Sequence, residues 1–166
     1  GATGIGAAMV RAFAEQGARV GFVDHDAAAG AELAADEGAW FREVDVTDTS
    51  SLKAAIADFA KADGLSVLVN NVANDTRHDP AATTEAMWRG AIAVNLDAAF
   101  FASQAAIALM RGQSGQGKGG SIVNFSSINA ITGPPQMPGY VSAKSALLGL
   151  TKALAREYGP EDVRLN

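Results

Sequence analysis

The sequence opens with GATGIGAAMVRAFAEQGARVGFVD, residues 1–24, and this stretch indicates the fold class. Three glycines fall in its first six residues, and apolar side chains then recur at helical spacing until Gly17. The apolar run 19–23 reads as a strand that is bounded by Asp24. A glycine-rich turn, a helix and a strand in this order predict one step of an alternating α/β fold.

The rest of the chain continues this alternation of short apolar runs and longer helical stretches. Further strands are predicted at 40–44, 67–69, 122–125 and from 163 onward, and helices at 26–38, 47–64, 83–88, 95–110 and 140–158. The alternation predicts a doubly wound parallel sheet covered by helices on both faces, which is a three-layer α/β/α arrangement. We expect residues 1–166 to form a single domain, with edge segments of the sheet missing at both termini.

Two local patterns refine this prediction. Five glycines between Gly112 and Gly120 predict a flexible surface connection. Prolines at 134, 135 and 138, followed by Gly139, are expected to exclude regular structure before the helix at Tyr140.

Composition narrows the classes of function. The 166 residues are 48% hydrophobic and 19% charged, carry a net charge of −5 and include no cysteine. The acidic balance makes nucleic acid a poor candidate for the partner. With two histidines and no thiolate, we expect no metal site. The apolar stretch 91–110 is interrupted by polar residues, so we expect no membrane span and a soluble, cytoplasmic protein.

The opening Gly1-Ala2-Thr3-Gly4-Ile5-Gly6 is a candidate phosphate-binding turn. Backbone N–H groups at a glycine-rich helix start can meet a pyrophosphate, although a plain glycine-rich turn is the alternative. Asp24 lies 18 positions after Gly6, where a carboxylate can accept hydrogen bonds from an adenosine ribose. Its charge would repel a 2′-phosphate, so the sequence favours NAD over NADP. The alternative for Asp24 is a turn or helix-entry residue.

Tyr140 and Lys144 lie four residues apart on one predicted helix, so their side chains share a face. A free phenol has a pKa of about 10, and an ammonium within about 5 Å lowers that pKa toward the range of a general base. Ser127 lies 13 residues upstream, at the carboxyl end of a strand, where open parallel sheets bind ligands. Asn95 begins a predicted helix. The alternatives are a solvated helix surface, a turn role for Ser127 and an N-cap role for Asn95.

Taken together, these motifs resemble the short-chain dehydrogenase/reductase family. The resemblance rests on the glycine-rich opening, Asp24, Asp45-Val46, Asn70-Asn71, Asn95, Asn124-Phe125-Ser126-Ser127 and Tyr140-Val141-Ser142-Ala143-Lys144, in this order and spacing. It covers nearly the whole chain. It implies a Rossmann-type fold and an NAD(P)-dependent dehydrogenase or reductase that acts on CH–OH groups.

The resemblance also implies a role for each matching residue. Tyr140 would be the catalytic base or acid, Ser127 would hydrogen-bond the reacting oxygen, and Asn95 would anchor a water relay. Lys144 would lower the pKa of Tyr140 and hold the nicotinamide ribose. In the resemblance, Asp45 and Val46 bind the adenine and Asn71 binds the neighbouring ribose. The other implied cofactor-binding residues are Thr3, Gly4, Ile5, Gly6, Asp24, Tyr140 and Lys144. A homotetramer would form through the helix near Asn95 and the helix that carries Tyr140.

The loop after Asn70-Asn71 departs from the usual family pattern. Val72-Ala73 replaces the common Ala-Gly, and the loop continues Asn74-Asp75-Thr76-Arg77-His78. This resembles the loop of family members that oxidise sugars at the anomeric hydroxyl, and polar side chains suit such substrates at a pocket rim. Candidate substrate-binding residues are therefore Ser127, Asn74 and His78, with a merely solvated loop as the alternative.

We therefore expect an oxidoreductase that transfers hydride between a small-molecule secondary alcohol or sugar hydroxyl and the nicotinamide ring of NAD. Two alternatives stay open. One is an NADPH-dependent 3-oxoacyl thioester reductase of the same family, and the other is a non-catalytic regulatory domain that binds a dinucleotide.

Overall fold

A computed structural model describes residues 1–112 and 119–166 of the chain. The contacts between residues divide the chain into two compact units, Gly1–Asp63 and Gly64–Asn166, and each is described by itself. The predicted flexible connection at 112–120 falls mainly on residues 113–118, which lie outside the described residues. The organisation of residues 1–166 as one domain stays a prediction.

The first unit combines two parallel strands with three helices. The helices are α1 (Gly4–Glu15), α2 (Ala27–Glu37) and α3 (Thr49–Ala60), and the strands are β1 (Gly21–Asp24) and β2 (Trp40–Glu43). In the parallel ladder Gly21 pairs with Trp40 and Asp24 pairs with Glu43. A buried apolar cluster holds these elements together, and it comprises Ala2, Ala7, Val10, Phe22 and Leu33.

Helix ends in the first unit follow the sequence signals. Asp26 caps α2 and Asp48 caps α3, because each side chain accepts hydrogen bonds from backbone N–H groups of the first turn. Gly38 follows α2 with a φ of +61°, a conformation that glycine adopts without steric cost. The two caps and the glycine thus account for where α2 begins and ends and where α3 begins.

The second unit has a three-stranded parallel sheet with β4 in the middle. Its strands are β3 (Val67–Asn70), β4 (Gly120–Asn124) and β5 (Val163–Leu165), and its helices are α4 (Glu85–Ile92), α5 (Ala98–Arg111), α6 (Asn129–Thr132) and α7 (Pro138–Tyr158). Short 3-10 turns lie at Pro80–Ala82 and Gly159–Glu161. The fully buried side chains include Met110, Ile122, Leu147 and Val163, which place the core between the sheet and its helices.

Helices α4 and α5 form one continuous helical rod rather than two helices. A π-helical segment, Ala93–Asp97, joins them, and Asn95 lies in its centre. The expectation that Asn95 begins the long helix is therefore wrong, and so is the alternative that it is an N-cap. Thr84 is the residue that caps this rod, because its side chain accepts a hydrogen bond from the Met87 N–H.

By length and composition alone, the described rod Glu85–Arg111 could cross a membrane, since it has 27 residues and contains an 18-residue window with a mean hydropathy of 1.5. The expectation that polar interruptions exclude such a segment is therefore too strict. The core helix of a globular unit passes the same test. The buried face of the rod carries Asn95 and Ser103, and both side chains are hydrogen-bonded inside the second unit. These internal bonds are typical of a core helix.

Helix α7 begins at Pro138, two residues before the predicted start. Proline and Gly139 were expected to exclude regular structure here, and this expectation is wrong. Proline lacks only the N–H that the first helical turn leaves unbonded, and its fixed φ suits that position. The short helix α6 was also not predicted, because its four residues carry no periodic signal.

Candidate functional site

The glycine-rich opening leads directly into α1. Thr3 is the N-cap residue, but its side chain makes no capping hydrogen bond, and Gly4 has a φ of +55°. A Cβ atom on Gly6 would lie 3.0 Å from the Gly1 Cα, so a side chain there would push the two ends of this turn apart by a few tenths of an ångström. Thr3, Gly4 and Ile5 are exposed, whereas Gly6 is buried. The first turn of α1 therefore presents backbone N–H groups that no side chain caps, which is the geometry that binds phosphate.

Asp24 lies at the carboxyl end of β1 and reaches back to this opening. Its Oδ2 accepts hydrogen bonds from the Gly1 nitrogen at 2.6 Å and the Ala2 N–H at 2.8 Å, and its Oδ1 accepts one from the Asp26 N–H at 3.0 Å. Burial raises the pKa of the Asp24 carboxyl, but these hydrogen bonds outweigh it and hold the pKa well below its usual range. Asp24 is thus an ionised side chain that also fixes the shape of the opening.

Asp45 and Val46 follow β2 and occupy different environments. The Asp45 carboxylate accepts hydrogen bonds from the Thr47 N–H at 2.9 Å and the Thr47 hydroxyl at 2.8 Å, and these bonds lower the pKa of Asp45. The Asp45 side chain is exposed, whereas Val46 is buried. Of the two, only the carboxylate of Asp45 is open to a ligand.

Lys144 is a buried cation beside Tyr140 in the second unit. Its side chain is 2% exposed, and its Nζ donates a hydrogen bond to the Phe125 carbonyl at 2.6 Å. The same Nζ lies 5.8 Å from the centroid of the Tyr140 ring. Burial lowers the pKa of the Lys144 ammonium. Tyr140 itself is half-buried in the first turn of α7. The structure therefore brings the phenol and the ammonium together on one helix face, one turn apart.

Two serines connect the end of β4 to α6 and α7. The Ser126 hydroxyl donates to the Lys144 carbonyl at 2.9 Å and so ties the strand end to the helix that carries the lysine. The Ser127 hydroxyl accepts a hydrogen bond from the Asn129 N–H at 3.1 Å at the start of α6. Ser127 is half-buried, and its hydroxyl hydrogen can still be donated to a ligand.

Asn95 clamps the loop that follows β3. Its Oδ1 accepts from the Asn74 N–H at 2.9 Å, and its Nδ2 donates to the Asn74 carbonyl at 2.9 Å. The Nδ2 also donates to the Ala91 carbonyl at 2.9 Å, within the rod. Because Asn95 is only 1% exposed, its side chain acts on protein backbone. π-helical segments are rare and occur often at functional sites, which agrees with this placement.

A buried polar network joins the strand ends to the helices. The Asn70 amide donates to the Asn124 Oδ1 at 2.8 Å and to the Ser103 hydroxyl at 3.1 Å, and the Asn124 amide donates to the Thr151 hydroxyl at 2.9 Å. Asn71, one residue beyond β3, is half-buried. Sequence reasoning missed Ser103 and Thr151, since a single hydroxyl on a helix carries no signal of its distant partner.

The loop 74–79 is fixed to the segment before α7. The Arg77 guanidinium donates to the Pro135 carbonyl at 3.3 Å, and the His78 N–H donates to the Gln136 carbonyl at 2.9 Å. The Asn74 Oδ1 accepts from both the N–H and the hydroxyl of Thr76, at 3.0 and 2.6 Å. The loop is therefore an ordered part of the second unit, although its side chains other than His78 are exposed.

The two units offer different chemistry. In the first unit, an uncapped glycine-rich helix start and an ionised carboxylate suit a phosphate and a ribose. In the second, a phenol beside a buried ammonium can exchange a proton with a ligand hydroxyl. Across residues 1–112 and 119–166, no group of three or more His, Cys, Asp or Glu side chains is placed to hold a metal ion.

Comparisons of the sequence with known proteins show which family it is similar to. A family model described as enoyl-(acyl carrier protein) reductase matches residues 1–166. The chain is 43% identical over its whole length to the "probable galactose dehydrogenase GalD" of Rhizobium meliloti strain 1021, and 38% identical over 99% of its length to the D-xylose 1-dehydrogenase of Caulobacter vibrioides strain NA1000 / CB15N. It spans 66% of the length of each of these relatives.

A solved structure shows the same fold. The crystal structure of a "putative short-chain alcohol dehydrogenase" from Sinorhizobium meliloti 1021 matches 98% of this chain and 66% of that chain, with a TM-score of 0.89 and 32% sequence identity. The expected α/β, Rossmann-type class with parallel strands and flanking helices is therefore confirmed. The family model, the relatives and the shared fold lead to one conclusion, which is that this chain belongs to the short-chain dehydrogenase/reductase family.

Proposed function

We propose that the protein is an NAD-dependent oxidoreductase that oxidises the hydroxyl of a sugar or of another secondary alcohol, with Tyr140 as the general base. The observation that carries the proposal is the buried Lys144 ammonium, 5.8 Å from the centre of the Tyr140 ring. The names of the two relatives, a galactose and a D-xylose dehydrogenase, support a sugar as the substrate.

Lys144 is placed to stabilise the phenolate of Tyr140. A cation buried among protein atoms acts on its neighbours through a low effective dielectric, so its charge is felt more strongly than in water. The Phe125 carbonyl fixes the position of the ammonium, and the Ser126 hydroxyl fixes the backbone of Lys144. A phenolate held in this way can accept the proton of a substrate hydroxyl and return it in the reverse reaction.

Ser127 and Asn95 would serve the same proton transfer. The Ser127 hydroxyl already accepts one hydrogen bond from Asn129, and it would donate its own hydrogen to the reacting oxygen of the substrate. Asn95 supports the site from beneath, because its side chain is fully engaged by the backbone of Asn74 and Ala91. We assign it the anchoring of a water relay, which is the role that the family resemblance implies for this residue.

The residues present fit a nicotinamide dinucleotide. The open start of α1, at Thr3, Gly4, Ile5 and Gly6, would hold the pyrophosphate, because Gly6 allows the tight turn and no side chain caps the helix. Asp24 and the exposed carboxylate of Asp45 would bind the adenosine part, with Val46 beneath it. In the second unit, Asn71 would bind the ribose next to the adenine, and Tyr140 and Lys144 would hold the nicotinamide ribose. When bound, the cofactor supplies the acceptor for hydride.

Asp24 is the reason for preferring NAD to NADP. Its carboxylate is held in the ionised form by backbone hydrogen bonds, so a 2′-phosphate placed there would meet a fixed negative charge. Titration of both cofactors against intrinsic fluorescence tests this preference. Tighter binding of NADPH would contradict it and would favour the 3-oxoacyl thioester reductase.

The decisive experiment compares the two tyrosines of the chain. Tyr140→Phe removes the phenol beside Lys144, whereas Tyr158→Phe removes one that faces Arg111 at the other end of α7. Reduction of NAD is followed with D-galactose, D-xylose and a panel of secondary alcohols. We expect Tyr140→Phe to lose turnover by about 100-fold or more and to retain NAD binding, whereas Tyr158→Phe stays close to the unsubstituted protein. Equal turnover in the two variants would refute the mechanism. NAD binding without turnover by the unsubstituted protein would favour the regulatory domain.

Assembly and location are proposals that follow from the family. A homotetramer formed through α5 and α7 would agree with apolar side chains on their surface, such as Leu148, which is 43% exposed. Sedimentation of the protein tests this assembly, and fractionation of the source cells tests a cytoplasmic location.

A further inference from the structure

The loop of residues 74–79, named here the His78 loop, is held at both ends. At one end the Asn95 side chain binds the N–H and the carbonyl of Asn74. At the other end the His78 N–H donates to the Gln136 carbonyl at 2.9 Å. A loop anchored in this way holds its side chains in fixed directions, which is what recognition of a small ligand requires.

His78 contains a polar atom that the described residues leave without a partner. Its Nε2 atom is shielded from solvent and makes no hydrogen bond, and it is the one such side-chain atom among residues 1–112 and 119–166. Buried polar atoms are nearly always hydrogen-bonded, because an unbonded one carries the full cost of its lost hydration. An imidazole nitrogen in this condition is suited to bond a ligand, either as donor or as acceptor.

The anchor of His78 also places the loop beside the start of α7. Gln136 precedes Pro138, the first residue of α7, by two positions, and Tyr140 lies in the first turn. Gln136 has a φ of +62°, a left-handed conformation that costs free energy in a residue other than glycine. Residues kept in such a conformation cluster at ligand-binding sites. The residue whose carbonyl receives the His78 N–H therefore lies four positions before Tyr140, which carries the proposed chemistry.

Asn74, the other candidate substrate-binding residue of this loop, has a different role. Its Oδ1 accepts two hydrogen bonds from Thr76, so the side chain shapes the loop itself. His78 is thus the loop residue with an uncommitted, shielded hydrogen-bonding atom.

We propose that His78 determines substrate specificity by hydrogen-bonding, through Nε2, a hydroxyl group of the substrate other than the one that reacts. The substrate class that provides a second hydroxyl at a fixed place is a polyhydroxylated one, an aldose or a polyol, rather than a simple secondary alcohol. This inference rests on the proposed function and adds the residue that selects among its substrates.

The test uses two substitutions at His78 and one matched control. His78→Phe keeps a ring but removes the hydrogen bond, and His78→Gln places an amide at similar reach. Arg77→Ala removes the neighbouring anchor to Pro135 and reports on loop positioning alone. Values of kcat/KM are measured with D-galactose, with its 2-deoxy, 3-deoxy, 4-deoxy and 6-deoxy analogues, and with 2-butanol.

We expect His78→Phe to lose about 10-fold to 100-fold in kcat/KM on D-galactose and nothing on 2-butanol, because only the sugar has a hydroxyl to lose. One deoxy analogue should be turned over equally by the unsubstituted protein and by His78→Phe. His78→Gln should recover most of the activity on D-galactose, and Arg77→Ala, which loosens the loop but keeps the imidazole, should have a kcat/KM on D-galactose between those of His78→Phe and the unsubstituted protein.

Two kinds of result would refute the specificity role, and they differ in what they mean for the proposed function. If His78→Phe lowers kcat/KM on every substrate by the same factor, or on none, the specificity role is refuted while the proposed function stands. If the unsubstituted protein turns over neither sugar nor alcohol, the proposed function fails and this inference fails with it.

Discussion

Replacement of Asn95 by alanine tests the clamp between the helical rod and the loop after β3. The substitution removes three hydrogen bonds, two to Asn74 and one to the Ala91 carbonyl, each at 2.9 Å. A typical intramolecular hydrogen bond contributes a net of about 0.5–1.5 kcal/mol, so the sum is about 1.5–4.5 kcal/mol. Because Asn74 is exposed, water replaces part of what its backbone loses. We therefore expect a loss of about 1.5–3 kcal/mol in the free energy of unfolding.

Urea unfolding followed by circular dichroism measures this loss, and two variants serve as controls. Asn74→Ala keeps the backbone groups that Asn95 binds but removes the two exposed bonds from Thr76, so it should cost less than Asn95→Ala, about 0.5–1 kcal/mol. Asn95→Asp keeps the acceptor for the Asn74 N–H but places a carboxylate, at a position that is 1% exposed, against the carbonyls of Asn74 and Ala91, so its stability at neutral pH should lie below that of Asn95→Ala. Hydrogen exchange provides an independent reading, because the Asn74 amide should lose protection in Asn95→Ala.

Two results would refute this reasoning. One is a loss below about 0.5 kcal/mol for Asn95→Ala, which would mean that the clamp is not formed in solution. The other is an Asn74 amide that exchanges equally fast with and without the Asn95 side chain.

Three further predictions concern packing and charge. Gly30→Ala should lower the free energy of unfolding by about 1–3 kcal/mol, because a Cβ there would lie 2.1 Å from the Phe41 ring. Gly149→Ala should raise it by about 0.5–1 kcal/mol, because a Cβ there would meet no atom within 4 Å beyond its own helix and chain neighbours. The midpoints of denaturant unfolding compare the two variants. Burial lowers the pKa of Lys144 below 10.5, so as the pH rises toward 10.5 the folded protein loses this proton before the unfolded chain does, and its stability increases. Urea unfolding at several pH values should show a smaller increase in Lys144→Met. The same dependence of stability on pH in both proteins would contradict the prediction. Hydrogen bonds hold the pKa of Asp24 below 3.8, so its contribution to stability is present above that pH and is lost as the pH falls toward the folded pKa; acid unfolding of Asp24→Asn should lack this loss.

Much of the fold could be predicted because its signals are local. The helices predicted to start near residues 26 and 83 are capped by Asp26 and Thr84, because a short polar side chain before an apolar helical pattern bonds backbone only a few residues away. The alternation of strand and helix was predictable for the same reason, because each element is defined by its own periodicity.

The features that sequence reasoning missed depend on distant partners. Asn95 lies in a π-helical segment whose side-chain bonds reach a loop 21 residues away, and no helical pattern records such a contact. Pro138 was interpreted as a helix breaker, although its position in the first turn makes it compatible with a helix. The pairing of Tyr140 with Lys144 was inferred from spacing, but the Phe125 carbonyl that orients the lysine belongs to the strand end and could not be inferred.

The wide turn at Ala93–Asp97 has a consequence for how this rod tolerates length changes. An α-helix advances by about 100° per residue, and a π-type turn accommodates about one residue more than the α-helical repeat. Deletion of one residue within this segment would therefore restore uniform α-helical winding and leave the phase of α5 relative to α4 nearly unchanged. Ser103 and Met110 would still face the interior that they now fill, whereas a deletion within α5 would turn the residues beyond it by about 100°. Circular dichroism should retain helical signal in both deletions and cooperative unfolding should be lost only in the second, so the irregular turn absorbs a change of length that a regular helix transmits.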